Sequence, residues 1–138
     1  MKTFDRQKTD ALAEKHGLQL LLLFGSQASG KTHDKSDYDF AFLSQKDLDF
    51  GERAALRDDL ASLVDYASET EEADLKQASP FLLKQILENH SVVYAAGSAY
   101  EEFYSYAFRT CLESKRLFDL QDELYRNTVA KYRKIYAE

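Results

Sequence analysis

The chain has 138 residues, 44% of them hydrophobic and 30% charged, which is the size and make-up of one globular domain. Its formal net charge of −6 argues against a general nucleic-acid binder, and 5 Gly and 1 Pro are too few for long linkers or disorder. The single cysteine, Cys111, excludes an internal disulfide. No run approaches the roughly 18 apolar residues of a membrane span, and MKTFDRQKTD has no apolar signal core, so a cytoplasmic location is expected.

In chain order, residues 3–16 predict a short helix closed by Gly17. Leu18–Phe24 is an apolar run that reads as a buried strand. From Asp37 to Ser44 the chain alternates, with Asp37, Asp39 and Ala41 on one side and Tyr38, Phe40 and Phe42 on the other, the mark of a second strand. Phe50–Tyr66 carries Leu56, Leu60, Leu63 and Val64 at helical spacing. Glu71–Lys76 reads as a third strand despite a composition poor in strand formers. Ser79-Pro80 starts a helix running to about Asn89, and Val92–Ala95 is a short fourth strand.

Ser98-x-x-Glu101 has the form of a capping box and opens a helical segment reaching Tyr136, with a break expected near Asp119–Asp122. Phe103, Ala107, Cys111, Ser114 and Phe118 fall close to one face of it. Nine of the eighteen aromatics lie after residue 97, more apolar surface than a solvated tail needs. The chain therefore divides into a core, residues 1–97, and a helical extension, 98–138, that packs on the core and offers aromatics to a partner.

Residues 25–39 allow two phosphate-handling readings. Gly25 to Thr32 matches G-x-x-x-x-G-K-T, a P-loop whose Lys31-Thr32 pair would have to open a helix. The chain enters instead the alternating strand pattern from Asp37, so we set the P-loop aside. The second reading joins Gly25-Ser26, ten residues on, to Asp37-Tyr38-Asp39. Carboxylates two apart on a strand point the same way, with Cα atoms about 6.5–7 Å apart, and can converge on divalent ions that share substrate phosphate oxygens. Gly25 lets backbone approach a phosphate, Ser26 offers a hydroxyl and an N–H, and Lys31 and Lys35 are near enough in sequence to neutralise a triphosphate.

LLLFGSQASGKTHDKSDYDFAFL resembles the core of the minimal nucleotidyltransferases of the DNA polymerase β superfamily, whose signature is Gly-Ser, ten residues, Asp-x-Asp. DLKQASPFLLKQILENHSVVYAAG and the aromatic helical tail are similar to the antitoxins of HEPN/MNT toxin–antitoxin pairs. The resemblance covers roughly residues 10–125. It implies an α/β (α+β) fold, a small mixed sheet covered by helices with a C-terminal helical extension. It also implies ATP with Mg²⁺, AMP transfer to a hydroxyl with release of pyrophosphate, and, in the antitoxin subgroup, a tyrosine of a partner HEPN ribonuclease toxin as acceptor. Gly25, Ser26 and Lys35 would then hold the nucleotide, and Asp37 and Asp39 the metal.

The family's third carboxylate is an aspartate, and counting back from Asp74-Leu75 places Glu71 at its position, as a metal ligand or general base; Asp74 is the fallback, on the opposite strand face. His16, His33 and His90 lack metal-ligand spacing, and Cys111 reads as core rather than nucleophile. Two rival functions stay open: AMP transfer to a small hydroxyl compound such as an aminoglycoside, and a non-catalytic antitoxin acting by contact alone.

Overall fold

The computed structural model of the protein describes residues 4–25, 28 and 37–136. Its centre is β1 (Leu18–Phe24), six of whose seven residues are buried. A strand apolar on both faces needs cover on both sides, and β1 obtains neighbours in both directions. The sheet order is β3-β2-β1-β4, with β2 (Tyr38–Ser44) and β4 (His90–Ala95) antiparallel to β1 and β3 (Thr70–Asp74) parallel to β2. A register shift between Leu18 and Leu20 turns the two leucines to different faces, so each joins a separate core cluster.

Helices α1 (Arg6–His16) and α2 (Phe50–Leu63) cover one face, packing Leu12, Leu56 and Leu60 on Leu21, Phe40 and Phe42. Helices α3 (Pro80–Glu88) and α4 (Ala99–Glu113) cover the other, packing Leu83, Ile86, Phe103 and Ala107 on Leu20, Leu22 and Ala41. Each fully buried leucine or isoleucine contributes about 1.5–3 kcal/mol by leaving water. The α/β class, the helix closed by Gly17 (φ 64°) and the Ser79-Pro80 start, where Ser79 accepts from the Leu82 N–H, all appear as the sequence predicts. No helix among the described residues is long and apolar enough to cross a membrane.

Other boundaries move. The third strand ends at Asp74 and Leu75–Gln77 forms a turn of 3₁₀ helix, because Asp74 accepts from the Lys76 N–H and tightens the chain there. Helix α2 stops at Leu63, and Asp65 and Tyr66 both take φ 55° to turn toward β3. The C-terminal break comes at Ser114, before the expected Asp119–Asp122, and separates α4 from α5 (Lys115–Tyr136). There Phe118 seats against Phe81 with ring centroids 5.1 Å apart.

The capping box expected at Ser98 is absent: Ser98 makes no side-chain bond to a helix N–H, and its hydroxyl instead donates to Glu102 at 3.3 Å. The box that exists is at α2, where Asp49 accepts from the Glu52 N–H at 2.7 Å and Glu52 accepts from the Asp49 N–H at 3.3 Å. Asp49→Ala should therefore cost about 1 kcal/mol, seen as a fall in Tm of about 3 °C. Ser98→Ala should stay within about 0.5 kcal/mol. A larger loss for Ser98→Ala in thermal unfolding would contradict this assignment.

Candidate functional site

The ends of three strands build the site. β1 runs out at Phe24 into Gly25, β2 enters at Asp37–Asp39, and β3 enters at Thr70-Glu71. Cross-strand register sets four residues in one row: Glu71 opposite Asp39, Asp39 opposite Phe24, and Phe24 opposite His90. Directly paired residues share a sheet face, so Glu71 and Asp39 face the same way. Asp74 pairs with Phe42 and faces the other side, where its carboxylate caps the 3₁₀ turn. Asp37 precedes the first β2 residue and is exposed; the next residue is fixed by its N–H, which Tyr38 donates to the Glu69 carbonyl at 2.9 Å.

Gly25 is required by space as well as by backbone. Its φ is 78°, and a Cβ there would lie 2.8 Å from Asp39 Oδ2. No L side chain fits that gap without displacing the carboxylate, so the turn and the aspartate form one unit. Asp39 is held above the ordinary carboxylate range, first by burial, then by the negative charges of Glu71 and Asp37. Glu71 and Asp37 thus lie near enough to Asp39 for their charges to bear on it. Ser26, Lys31, Thr32, His33 and Lys35 lie outside the described residues.

The sequence pattern did not reveal what holds β3 in place. Glu72, next to Glu71, turns to the opposite face, where its side chain is 1% exposed. It accepts two bonds from Arg57, 2.9 Å from Nε and 2.8 Å from Nη2, while Arg53 donates to the Glu72 carbonyl at 3.2 Å. Bidentate arginine–carboxylate pairing of this kind fixes orientation as well as distance. Period-two counting from Glu71, combined with arginines at i and i+4 on α2, was the available signal.

The remaining expectations resolve as packing. His16 bonds Asp59 at 2.6 Å, and His90 bonds the Ile86 carbonyl and the Tyr100 hydroxyl, each at 2.8 Å. Cys111 packs against the second core cluster, and burial raises its thiol pKa. Among the described residues, no three His, Cys, Asp or Glu side chains enclose a metal ion by themselves.

Over residues 7–98 the chain matches the family described as polymerase beta, nucleotidyltransferase. It belongs to that family. The Gly25 turn, the Asp37/Asp39 pair and the Glu71 strand all fall inside the matched span. The nucleotidyltransferase is 41% identical over 70 residues to the protein adenylyltransferase MntA of Shewanella oneidensis, an alignment covering 51% of this chain and 49% of MntA, about half of each. Its fold is similar to a chain in the crystal structure of a toxin–antitoxin with AMP-PNP (TM-score 0.70, 28% identity), across 91% of this chain and 98% of that one. It is also similar to a chain in the complex of tri-AMPylated Shewanella oneidensis HEPN toxin with MNT antitoxin (TM-score 0.64, 26% identity), across 90% and 95%.

The raised Asp39 pKa has a stability consequence. The folded protein holds that proton more tightly than the unfolded chain, so stability falls as pH rises from the ordinary aspartate range through the raised value. At neutral pH Asp39→Asn should give a higher Tm than the wild type in metal-free buffer, a gain that disappears in acid below that range. A lower Tm for Asp39→Asn at neutral pH would show that the carboxylate is satisfied in the free protein.

Proposed function

We propose that this nucleotidyltransferase is an antitoxin that transfers AMP from ATP to a tyrosine hydroxyl of a HEPN toxin and so neutralises it. The observation that carries the reading is the contact of Gly25 with Asp39, with Glu71 in register beside it. That places a backbone turn able to cradle phosphates against carboxylates held close together. The similar proteins support a protein acceptor: one is an adenylyltransferase, and another stands in complex with an AMPylated HEPN toxin.

In this reading Gly25 and Ser26 hold the triphosphate, with Lys35 neutralising part of its charge. Asp37, Asp39 and Glu71 would hold Mg²⁺, which when bound would offset the charge developing on the phosphates. The donor chemistry suits such an ion, because burial first, and then the negative charges of Glu71 and Asp37, raise the proton affinity of Asp39, and a dication beside it would relieve that penalty. The acceptor oxygen bonds to the α-phosphorus as the bond to pyrophosphate breaks, and Glu71 would take the hydroxyl proton. A cytoplasmic location accords with this role.

Acceptor docking is assigned to α4. His90 ends the row that starts at Glu71, and Tyr100 and Tyr104 stand over it, with ring centroids 5.7 and 6.5 Å from His90. Phe103 is 5% exposed and belongs to the core, whereas Tyr104 is 43% exposed and faces outward. An open apolar groove continues from Tyr100 and Tyr104 past Phe108 to Leu112.

The test is transfer of label from ATP carrying a radioactive α-phosphate to the purified toxin. Asp37→Asn with Asp39→Asn should lower transfer at least about a hundredfold while the fold is kept, the scale on which loss of preorganised electrostatics acts. Toxin neutralised without label would favour the contact-only antitoxin, and label passing to an aminoglycoside would favour the small acceptor. For docking, Tyr104→Ala should weaken toxin capture by about tenfold or more with Tm unchanged. Phe103→Ala should cost about 3–5 kcal/mol of stability. If both lower Tm and neither alters capture, the toxin docks elsewhere.

A further inference from the structure

Helix α5 is 22 residues long, yet Phe118, near its start, is its only buried residue. The remaining length, about 27 Å at 1.5 Å per residue, carries an apolar stripe with no buried residue and no partner among the described residues. At 100° per residue, Leu117, Leu124, Thr128 and Ile135 fall within about 20° of one line, with Leu120 and Tyr132 about 60° to either side. Leu117, Leu120, Leu124, Tyr132 and Ile135 are each at least half exposed. Phe118 points about 100° away from this line, toward the core, so the stripe is not the surface that anchors the helix.

We propose that the stripe pairs with the same stripe of a second copy, antiparallel, with the two-fold axis at Arg126. The spacing is palindromic about that residue: Leu117 and Ile135 lie nine residues to either side, Leu120 and Tyr132 six, and Leu124 and Thr128 two. Antiparallel pairing therefore sets Leu117 on Ile135 and Leu124 on Thr128, twice over, with Leu120 and Tyr132 at one level on opposite flanks, in one isologous contact. Charge selects the same direction. The first half of the helix holds Asp119, Asp122 and Glu123 against Lys115 and Arg116 at its very start, while the stretch from Arg126 to Tyr136 holds four basic residues and no acid.

A parallel pair would bring the two basic halves together. An antiparallel pair sets each against the acidic half and also opposes the helix dipoles. Lys131, about 40° from the line and so inside the stripe, and Glu123, about 120° from it, both lie on the Leu120 side. They are eight residues apart, about 12 Å along their own helix, but in the antiparallel pair Glu123 of one copy and Lys131 of the other come within about 3 Å of axial level. This contact is independent of AMP transfer, because none of these residues belongs to the carboxylate row.

The test is the solution mass of the full chain alone, by light scattering across a dilution series. The expected result is a dimer at high concentration that dissociates on dilution. Leu124→Lys should leave a monomer with an unchanged Tm for the core. Glu123→Lys and Lys131→Glu should each raise the dissociation constant about threefold or more, and the double swap Glu123→Lys/Lys131→Glu should restore it. Only pairing between two antiparallel copies couples these residues, since within one helix they do not meet. A chain that is monomeric at every concentration overturns the proposal, as does a dimer indifferent to Leu124→Lys or a double swap weaker than both single changes. Wild-type monomers whose toxin capture falls with Leu124→Lys would instead assign the stripe to the toxin.

Discussion

The carboxylate row exists because a poor strand is forced into the sheet. Thr-Glu-Glu-Ala-Asp has little strand propensity, and as β3 it lies at an edge with one neighbour. Its parallel ladder to β2 is supported from the opposite face by Glu72, whose buried carboxylate takes both nitrogens of the Arg57 fork while Arg53 grips its backbone carbonyl. A buried carboxylate without partners is too costly to keep. The strand can therefore sit only where α2 delivers the arginines, and that register places Glu71 beside Asp39.

The free protein holds its site at a cost to stability. Asp39 is partly desolvated next to two other negative charges, and Gly25 has given up its side chain and adopted a left-handed backbone so that the turn can lie against it. Local features that oppose stability and yet persist collect where a ligand is to be bound. The opposite face shows the contrast: Phe40, Phe42, Leu56 and Leu60 are fully buried with no polar atom among their side chains, and they supply the rigidity the site needs.

The C-terminal helices divide their aromatics between two tasks. In α4, Phe103 and Ala107 close the second core layer, while Tyr100 and Tyr104 turn to His90 and the groove beside it. In α5 one ring, Phe118, wedged between Phe81 and the ammonium of Lys84, carries the attachment. The rest of α5 presents an apolar line to solvent, a surface that implies association rather than folding. The extension thus continues the domain at its start and departs from it at its end.

Local spacing settled much of this in the sequence. The Gly25 turn, the alternation from Asp37, the apolar run of β1 and the Ser79-Pro80 start depend on residues next to one another, and periodicity of two or of 3.6 reports them directly. Tertiary structure decided what depends on distant partners. Ser98 and Asp49 offer nearly the same capping pattern, yet only Asp49 completes it, because the backbone at Ser98 (ψ 16°) does not have the extended geometry of a cap. Glu71, Glu72 and Asp74 are equally acidic in one short stretch, and sequence alone ranks them weakly. Their roles diverge only when β3 is laid on β2 and Arg57 reaches across from α2, a contact between residues fifteen apart that no local pattern encodes.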